Sequence, residues 1–111
     1  MEVGFNYTEP QQHEPIRIEQ VFAEKPGGGV VSNPTADLPP TTPVVFDEET
    51  EQFKPIDKTD TETKPDYVTG GWVFAGKGDQ LVRLINGANL RKETAIITKE
   101  QAALIPTINL V

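Results

Sequence analysis

The sequence predicts a mainly β protein, in which a small C-terminal head with one short helix, residues 66–111, follows a long extended N-terminal arm, residues 1–65. Two observations predict this fold class. Short apolar runs within residues 67–97 are separated by glycine-rich turns, a pattern typical of β-hairpins. Nine of the ten prolines fall in residues 1–65, together with thirteen acidic and only five basic side chains. Prolines and like charges favour extended chain over a packed core.

The arm is expected to hold little regular structure. Apolar and charged residues alternate in Ile16–Phe22, which predicts one short strand. Gly27–Gly29 interrupts regular structure, and Val30 and Val31 can pair briefly after it. The proline-rich segment 32–43 favours polyproline conformation. Such a segment buries too little apolar surface to offset an ordering cost of about 1–2 kcal/mol per residue.

Large apolar side chains recur along the arm in small clusters. This spacing suits an extended chain that contacts a partner protein at one hydrophobic anchor after another, although a flexible linker or tail is the simpler alternative. The predicted partner-binding anchors are Phe5, Tyr7, Ile16, Ile18, Phe22, Val44, Val45 and Phe46.

The head contains the only tryptophan and most of the dense apolar runs. Its apolar segments predict three strands, Trp72–Ala75, Leu81–Ile85 and Thr94–Ile97, with a tight turn at Gly76–Asp79. The Asn86-Gly87 dipeptide is the strongest local signal for a hairpin turn, because both central positions of a type I′ turn need positive φ.

The C-terminal end of the head carries a helix start and a final strand. Thr98 and Gln101 match a capping box, so one or two helical turns should follow before Pro106 ends them. The alternating residues 107–111 predict an edge strand.

Forty-six residues form a small core, and domains of this size need disulfides, metal or association to be stable. The chain has no cysteine, which leaves association with a partner or with itself as a homo-oligomer; an ordinary private core is the alternative. The residues predicted to form the core or the oligomer contact are Trp72, Phe74, Leu84, Ile96, Ile108 and Leu110.

No residue pattern predicts catalysis, a cofactor or a metal site. The single histidine, His13, lacks a second metal ligand or a nucleophile beside it. The acidic run 47–51 lacks the spacing of a calcium loop, and Gly76–Asp79 lacks the Walker pattern. We therefore expect no enzyme activity.

Charge and hydropathy restrict the partners. The formal net charge is −7, and an acidic chain disfavours nucleic acid. No apolar run approaches the roughly 20 residues of a membrane span. The head carries Arg83, Arg91, Lys92 and Lys99, a modest basic surface that could meet the acidic arm of a neighbouring copy.

The architecture resembles that of small accessory proteins of bacteriophage capsids, such as head-decoration or head-fibre proteins. The resemblance lies in a cysteine-free chain, a Pro/Gly-punctuated arm, and a compact head containing Gly-Gly-Trp-Val-Phe at 70–74 and Leu-Ile-Asn-Gly-Ala-Asn-Leu at 84–90. It implies a non-enzymatic virion structural protein, assembled in the host cytoplasm, whose arm lies on the capsid or on a neighbouring subunit. No functional residue is carried over. The alternative is a cytoplasmic adaptor or inhibitor whose arm binds one protein partner.

Overall fold

A computed structural model describes residues 15–111. These residues form eight strands and one four-residue helix, so the predicted mainly β class with one short helix is confirmed. In chain order the elements are β1 Ile18–Glu24, β2 Gly29–Val31, β3 Pro43–Asp47, β4 Gln52–Pro55, β5 Tyr67–Thr69, β6 Gln80–Val82, β7 Leu84–Leu90, α1 Lys99–Ala102 and β8 Ile108–Leu110.

The strands belong to one curled sheet with the order β1-β7-β5-β3-β4-β2-β6. β8 pairs with β7 in parallel, beyond the end of β5, and β2 pairs with β4 in parallel; the other pairs are antiparallel. Only Arg83 separates β6 from β7. β6 lies at one end of the sheet and β7 is second from the other end, so a one-residue link between them requires the sheet to curl.

The described part of the predicted arm, residues 15–65, is not an extended segment separate from the head. It supplies β1–β4, and strands from both sides of residue 65 alternate in the sheet: β1 pairs with β7, β2 with β6 and β3 with β5. The prediction weighed the apolar content of this segment in isolation. In the folded chain, strands from residues 67–90 cover its apolar side chains, which supplies the burial that the segment lacks alone.

Two buried clusters form the core. One lies between β7, β8, α1 and the loop before α1, and the other lies where β2, β3, β4 and β6 curl around each other. The first contains Val68, Ile85, Ala88, Leu90, Ile97, Ala102, Ile105 and Ile108. The second contains Val31, Val44, Phe53, Val73, Val82 and Leu84. The buried residues of the first cluster all lie within residues 66–111, and Ile18 and Val21 of β1 pack against them while partly exposed. The second cluster combines buried residues from both sides of residue 65.

The Asn86-Gly87 hairpin prediction is wrong, because β7 runs straight through the dipeptide. Gly87 pairs with Ala23 of β1. A Cβ at Gly87 would lie 2.8 Å from the Ala23 Cβ and 3.2 Å from the Phe22 ring. The glycine therefore allows β1 to approach closely, with the Phe22 ring beside it.

The predicted strand Trp72–Ala75 is also wrong beyond one bridge. Val73 exchanges two backbone hydrogen bonds with Leu38, at 2.8 and 2.9 Å. The next two amides donate to side chains instead: Phe74 to Gln80 Oε1 at 3.0 Å and Ala75 to Asp37 Oδ1 at 2.8 Å. Because these side chains take the donors, no strand ladder can continue. The predicted turn that follows is confirmed, with positive φ at both of its glycines.

The predicted strand Thr94–Ile97 is a turn and loop, and one residue of the turn before β3 holds it in place. Thr41 accepts hydrogen bonds from two amides of this loop. Ile96 N–H donates to Thr41 Oγ1 at 2.8 Å, and Ile97 N–H donates to Thr41 O at 3.1 Å. Thr41 is fully buried and has φ 75, a rare conformation for a β-branched residue. Its neighbours therefore determine its position rather than its own preference.

The remaining local predictions hold in part or in full. The first strand is confirmed with a shift of two residues, Val30 and Val31 do pair, and β8 is the expected final strand. The predicted strand Leu81–Ile85 is split at Arg83, whose carbonyl accepts from Gly70 N–H at 2.7 Å. The capping box is confirmed: Thr98 and Gln101 bond reciprocally at 3.1 Å in both directions.

Candidate interaction surface

An aromatic pair and a cation form the most distinctive surface feature of the described chain. The Trp72 and Phe74 rings stack with centroids 5.9 Å apart and planes inclined by 6°. The Arg17 guanidinium lies 5.6 Å from the centroid of the Trp72 ring. Ile16 is 56% exposed and Phe74 is 46% exposed. We call Ile16, Arg17, Trp72 and Phe74 the aromatic surface.

The backbone on both sides holds the aromatic surface in place. Val73 is fully buried against the second core cluster, so the residues before and after it share the opposite, outer side, as the sequence predicted for Trp72 and Phe74. The Gln80 amide accepts from Phe74 N–H at 3.0 Å and donates to Phe74 O at 2.8 Å. Arg17 O accepts from Arg91 N–H at 2.8 Å.

A shallow cavity of about 240 Å³ adjoins the aromatic surface at the first described residues. Pro15, Pro40 and Trp72 are among its lining residues. Proline rings and an indole make flat apolar walls, and the nearby guanidinium adds one cation. This chemistry suits an apolar or aromatic side chain of a protein partner, with a carboxylate near Arg17.

The structure distributes the eight predicted arm anchors among different environments. Phe5 and Tyr7 lie outside the described residues. Ile16, Phe22 and Phe46 are exposed, and Ile18 and Val45 are half-buried. Val44 is fully buried in the second core cluster of its own chain. For Val44 the anchor prediction is therefore wrong, because a partner cannot reach a side chain that the chain's own strands cover.

The residues predicted to form the core or the oligomer contact are likewise divided between buried and exposed positions. Leu84 and Ile108 are buried in the core, and Leu110 packs against the first cluster while partly exposed. Trp72 is half-buried, whereas Phe74 and Ile96 are exposed and available to a partner. Sequence reasoning missed Arg17 and Gln80, which position the aromatic surface; no local pattern marks them, since their contacts form only in the fold.

Ion pairs within the chain neutralise half of the predicted basic surface. Arg83 Nε donates to Glu24 at 2.6 Å, and Arg91 Nε donates to Glu19 at 2.6 Å. The Arg83 hydrogen bond lowers the pKa of Glu24, and the same contact raises the pKa of Arg83. Both acidic partners lie on β1, so these arginines hold β1 against the rest of the sheet.

Among the described residues, five acidic side chains have a pKa below the ordinary value. One is Glu24 on β1, and the other four, which we call the turn carboxylates, are Asp47, Asp57, Asp60 and Asp79. Apart from Glu24, the first cause is a hydrogen bond received within a loop or between loops. The Thr63 hydroxyl lowers the pKa of Asp60, and Asn33 N–H lowers the pKa of Asp79. Each shift favours the charged form, so these groups fix loops in their charged state.

Neither a metal cluster nor a membrane helix is found in the part of the chain that the structure describes. No group of three or more His, Asp or Glu side chains within residues 15–111 is placed to hold a metal ion; His13 lies outside that range. Over the same range, no helix has the length and hydrophobicity of a membrane span. No protein-family model matches the chain, and no curated protein matches it significantly.

Proposed function

We propose that this chain is a non-enzymatic structural protein that binds protein subunits of a larger assembly, and that the assembly is a virion of the bacteriophage type. The observation that carries the proposal is the aromatic surface. Stacked aromatic rings with an arginine are the side chains most enriched at the energetic centres of protein interfaces. Trp72 and Phe74 are already stacked, so binding would cost little side-chain entropy.

The distribution of exposed apolar side chains supports binding to several neighbours rather than to one small ligand. Besides the aromatic surface, apolar side chains are exposed at separate places on the sheet. On the edge strand β6, Leu81 is 72% exposed and pairs with the exposed Val30 of β2. Other large exposed apolar residues are Phe22, Phe46, Ile96 and Val111. A protein that meets several subunits needs more than one such contact.

The electrostatics are also compatible with a structural role. The turn carboxylates accept loop hydrogen bonds and stay charged, whereas general acid catalysis near neutral pH needs a carboxyl group whose pKa is raised. Their charge and position favour ordered acidic loops. Such loops keep a subunit soluble before it assembles.

The second candidate is an adaptor or inhibitor that forms a small complex with one protein partner. One observation favours it: strands of a single chain cover both core clusters, so a second copy is not needed to complete either. The two candidates differ in stoichiometry. A virion protein should be found in large particles in many copies, and an adaptor should form a one-to-one complex.

Sedimentation of native lysate containing the tagged full chain tests the proposal. We expect the wild-type chain to sediment with virion-sized particles and the variant Ile16→Ser/Phe74→Ser to stay at the top of the gradient. Lys58→Ser is the matched control, since it changes an exposed side chain outside the aromatic surface and outside the other exposed apolar contacts. Equal sedimentation of the double variant and the wild type would reject the aromatic surface as the contact. A small one-to-one complex in light scattering would instead support the adaptor.

A further inference from the structure

A groove runs between the loop before α1 and the final strand β8. Its volume is about 570 Å³, and its lining includes Ile96, Leu110, Lys92 and Lys99. Ile96 is 38% exposed and Leu110 is partly exposed. The groove therefore has an apolar floor and two lysines at its rim.

The two lysines are the cations of the predicted basic surface that the described chain does not neutralise. Both arginines of that surface form ion pairs with β1, whereas neither Lys92 nor Lys99 forms an ion pair with any residue in 15–111. Their acidic neighbours in the sequence, Glu93 and Glu100, do not line the groove. An occupant that combines a large apolar side chain with carboxylates would complement this groove.

The turn between β3 and β4 carries these two kinds of side chain. Phe46 is 42% exposed and lines a cavity together with Glu48, so an aromatic ring and a carboxylate face the same side. Glu49 and Glu51 follow in the turn and are also exposed. None of the three glutamates forms an ion pair within the described chain. We call residues 46–51 the acidic turn.

Backbone and ring contacts fix the acidic turn in place. Glu51 N–H donates to Asp47 O at 2.7 Å, and Glu49 N–H donates to Asp47 Oδ1 at 3.0 Å. The Phe46 ring packs edge-on against Phe53, with the ring centroids 5.2 Å apart. Because the turn is already ordered, it would lose little conformational freedom when it binds.

The groove and the acidic turn lie at opposite ends of β3. The loop that forms the groove floor is bonded to Thr41, just before β3: Ile96 N–H donates to Thr41 Oγ1 at 2.8 Å. The acidic turn continues from the other end of the same strand. β3 has five residues, so its ends are about 13 Å apart at roughly 3.3 Å per residue. No residue of the acidic turn lines the groove of its own chain, which leaves the groove of another copy.

We propose that the acidic turn of one copy occupies the groove of the next copy. Phe46 packs on Ile96 and Leu110, and the glutamates lie beside Lys92 and Lys99. The apolar contact supplies most of the affinity, because exposed ion pairs alone contribute little, and the charges set the orientation.

The placement of the two surfaces determines the kind of assembly. Since the groove and the acidic turn differ and lie at opposite ends of β3, the contact is heterologous. It repeats from copy to copy and either closes into a ring or extends as a filament. The contact shares no residue with the aromatic surface and does not rest on the proposed function.

Sedimentation equilibrium of the purified full chain tests the proposal. We expect the average mass to rise with protein concentration beyond that of a dimer, and to fall as salt screens the charges. Lys92→Glu/Lys99→Glu should remain monomeric at the same concentrations, because its groove and its acidic turn both carry negative charge. Lys64→Glu/Lys77→Glu is the matched control. It changes the net charge equally at exposed lysines outside the groove and should assemble like the wild type.

A charge swap tests whether the two surfaces are partners. Glu48→Lys/Glu49→Lys/Glu51→Lys should also remain monomeric, because both of its surfaces are then basic. Mixing it with the groove variant should restore assembly, since each acidic surface then meets a basic surface on the other chain. A wild-type chain that stays monomeric, undiminished assembly of the groove variant, or a mixture that stays monomeric would each overturn the proposal. None of these results would alter the sedimentation test of the aromatic surface.

Discussion

Replacing Gly87 with alanine is expected to lower the free energy of unfolding by about 1–2 kcal/mol. The added Cβ would lie 2.8 Å from the Ala23 Cβ, 3.2 Å from the Phe22 ring and 3.3 Å from Ala23 N. Since apolar carbons pack best about 3.5–4.0 Å apart, β1 would have to move away from β7 by roughly 1 Å. That movement weakens the pairing that holds β1 in the sheet.

The magnitude follows from two opposing effects at Gly87. Overpacking of a fitted contact costs about 1–3 kcal/mol. Replacing glycine with alanine also reduces the freedom of the unfolded chain, which stabilises the fold by about 0.4–1 kcal/mol. The steric effect is larger, and the net loss corresponds to about a five- to thirty-fold change in the ratio of folded to unfolded protein. Gly87→Val should cost more, because it adds two further carbons.

Denaturant unfolding of three variants measures the effect. Gly71→Ala is the matched control, since nothing lies within 4 Å of a Cβ built there, and it should be nearly neutral. Ala23→Gly in the Gly87→Ala background removes the atom at 2.8 Å and should recover most of the loss. A hairpin turn at Asn86-Gly87 would also tolerate substitution poorly, but it would not be rescued at residue 23. Wild-type stability of Gly87→Ala, or failure of the rescue, would refute the close approach of β1.

Three further predictions concern the loops. Thr41→Val should destabilise by about 1–3 kcal/mol, because the Ile96 amide loses its acceptor, whereas Thr41→Ser should retain most of the stability in the same unfolding assay. Thr98→Ala should cost about 1 kcal/mol by removing the cap that Gln101 completes, and Thr98→Ser should be close to wild type; equal stabilities would reject the cap. The turn carboxylates have folded pKa values below the ordinary 3.8. Their contribution to stability is therefore complete above that value and is lost as the pH falls through the lowered values. Unfolding midpoints should therefore be flat near neutral pH and drop below pH about 4, and a midpoint that rises on acidification would contradict this.

Sequence reasoning succeeded where local chemistry determines the structure. The capping box at Thr98 depends on residues three positions apart, and the turn at Gly76–Asp79 depends on two glycines two positions apart. The alternation in Ile16–Phe22 likewise predicted β1 within two residues. The cap and the turn are determined by contacts within a few residues, and the strand is marked by the alternation of its own side chains, so each pattern is visible in the sequence.

Sequence reasoning failed where a distant strand determines the structure. Asn86-Gly87 has strong turn propensity, but Gly87 is present because β1 packs against it. Val44 was assigned to a partner because its own segment has no core, whereas strands β4 and β5 of the same chain cover it. Tertiary contacts override local propensity at such positions.

Of the aromatic surface, only the two aromatic residues could be predicted from the sequence. Period-two alternation placed Trp72 and Phe74 on one side, and the structure confirms this although no continuous strand forms there. The cation came from Arg17, whose contact with Trp72 has no local signal. The Gln80 side-chain amide both accepts from and donates to the backbone of Phe74, a contact that no local motif reveals.

The position of β1 beside β7 has a consequence for biosynthesis. Glu24 pairs with Ile85, so β1 leaves the ribosome long before its pairing strand has been translated. At about 5–20 residues per second, the delay between these two residues is roughly 3–12 s. During that interval the nascent N-terminal half presents unpaired strand edges. A chaperone or a partner protein that covers these edges would protect the nascent chain most at that stage.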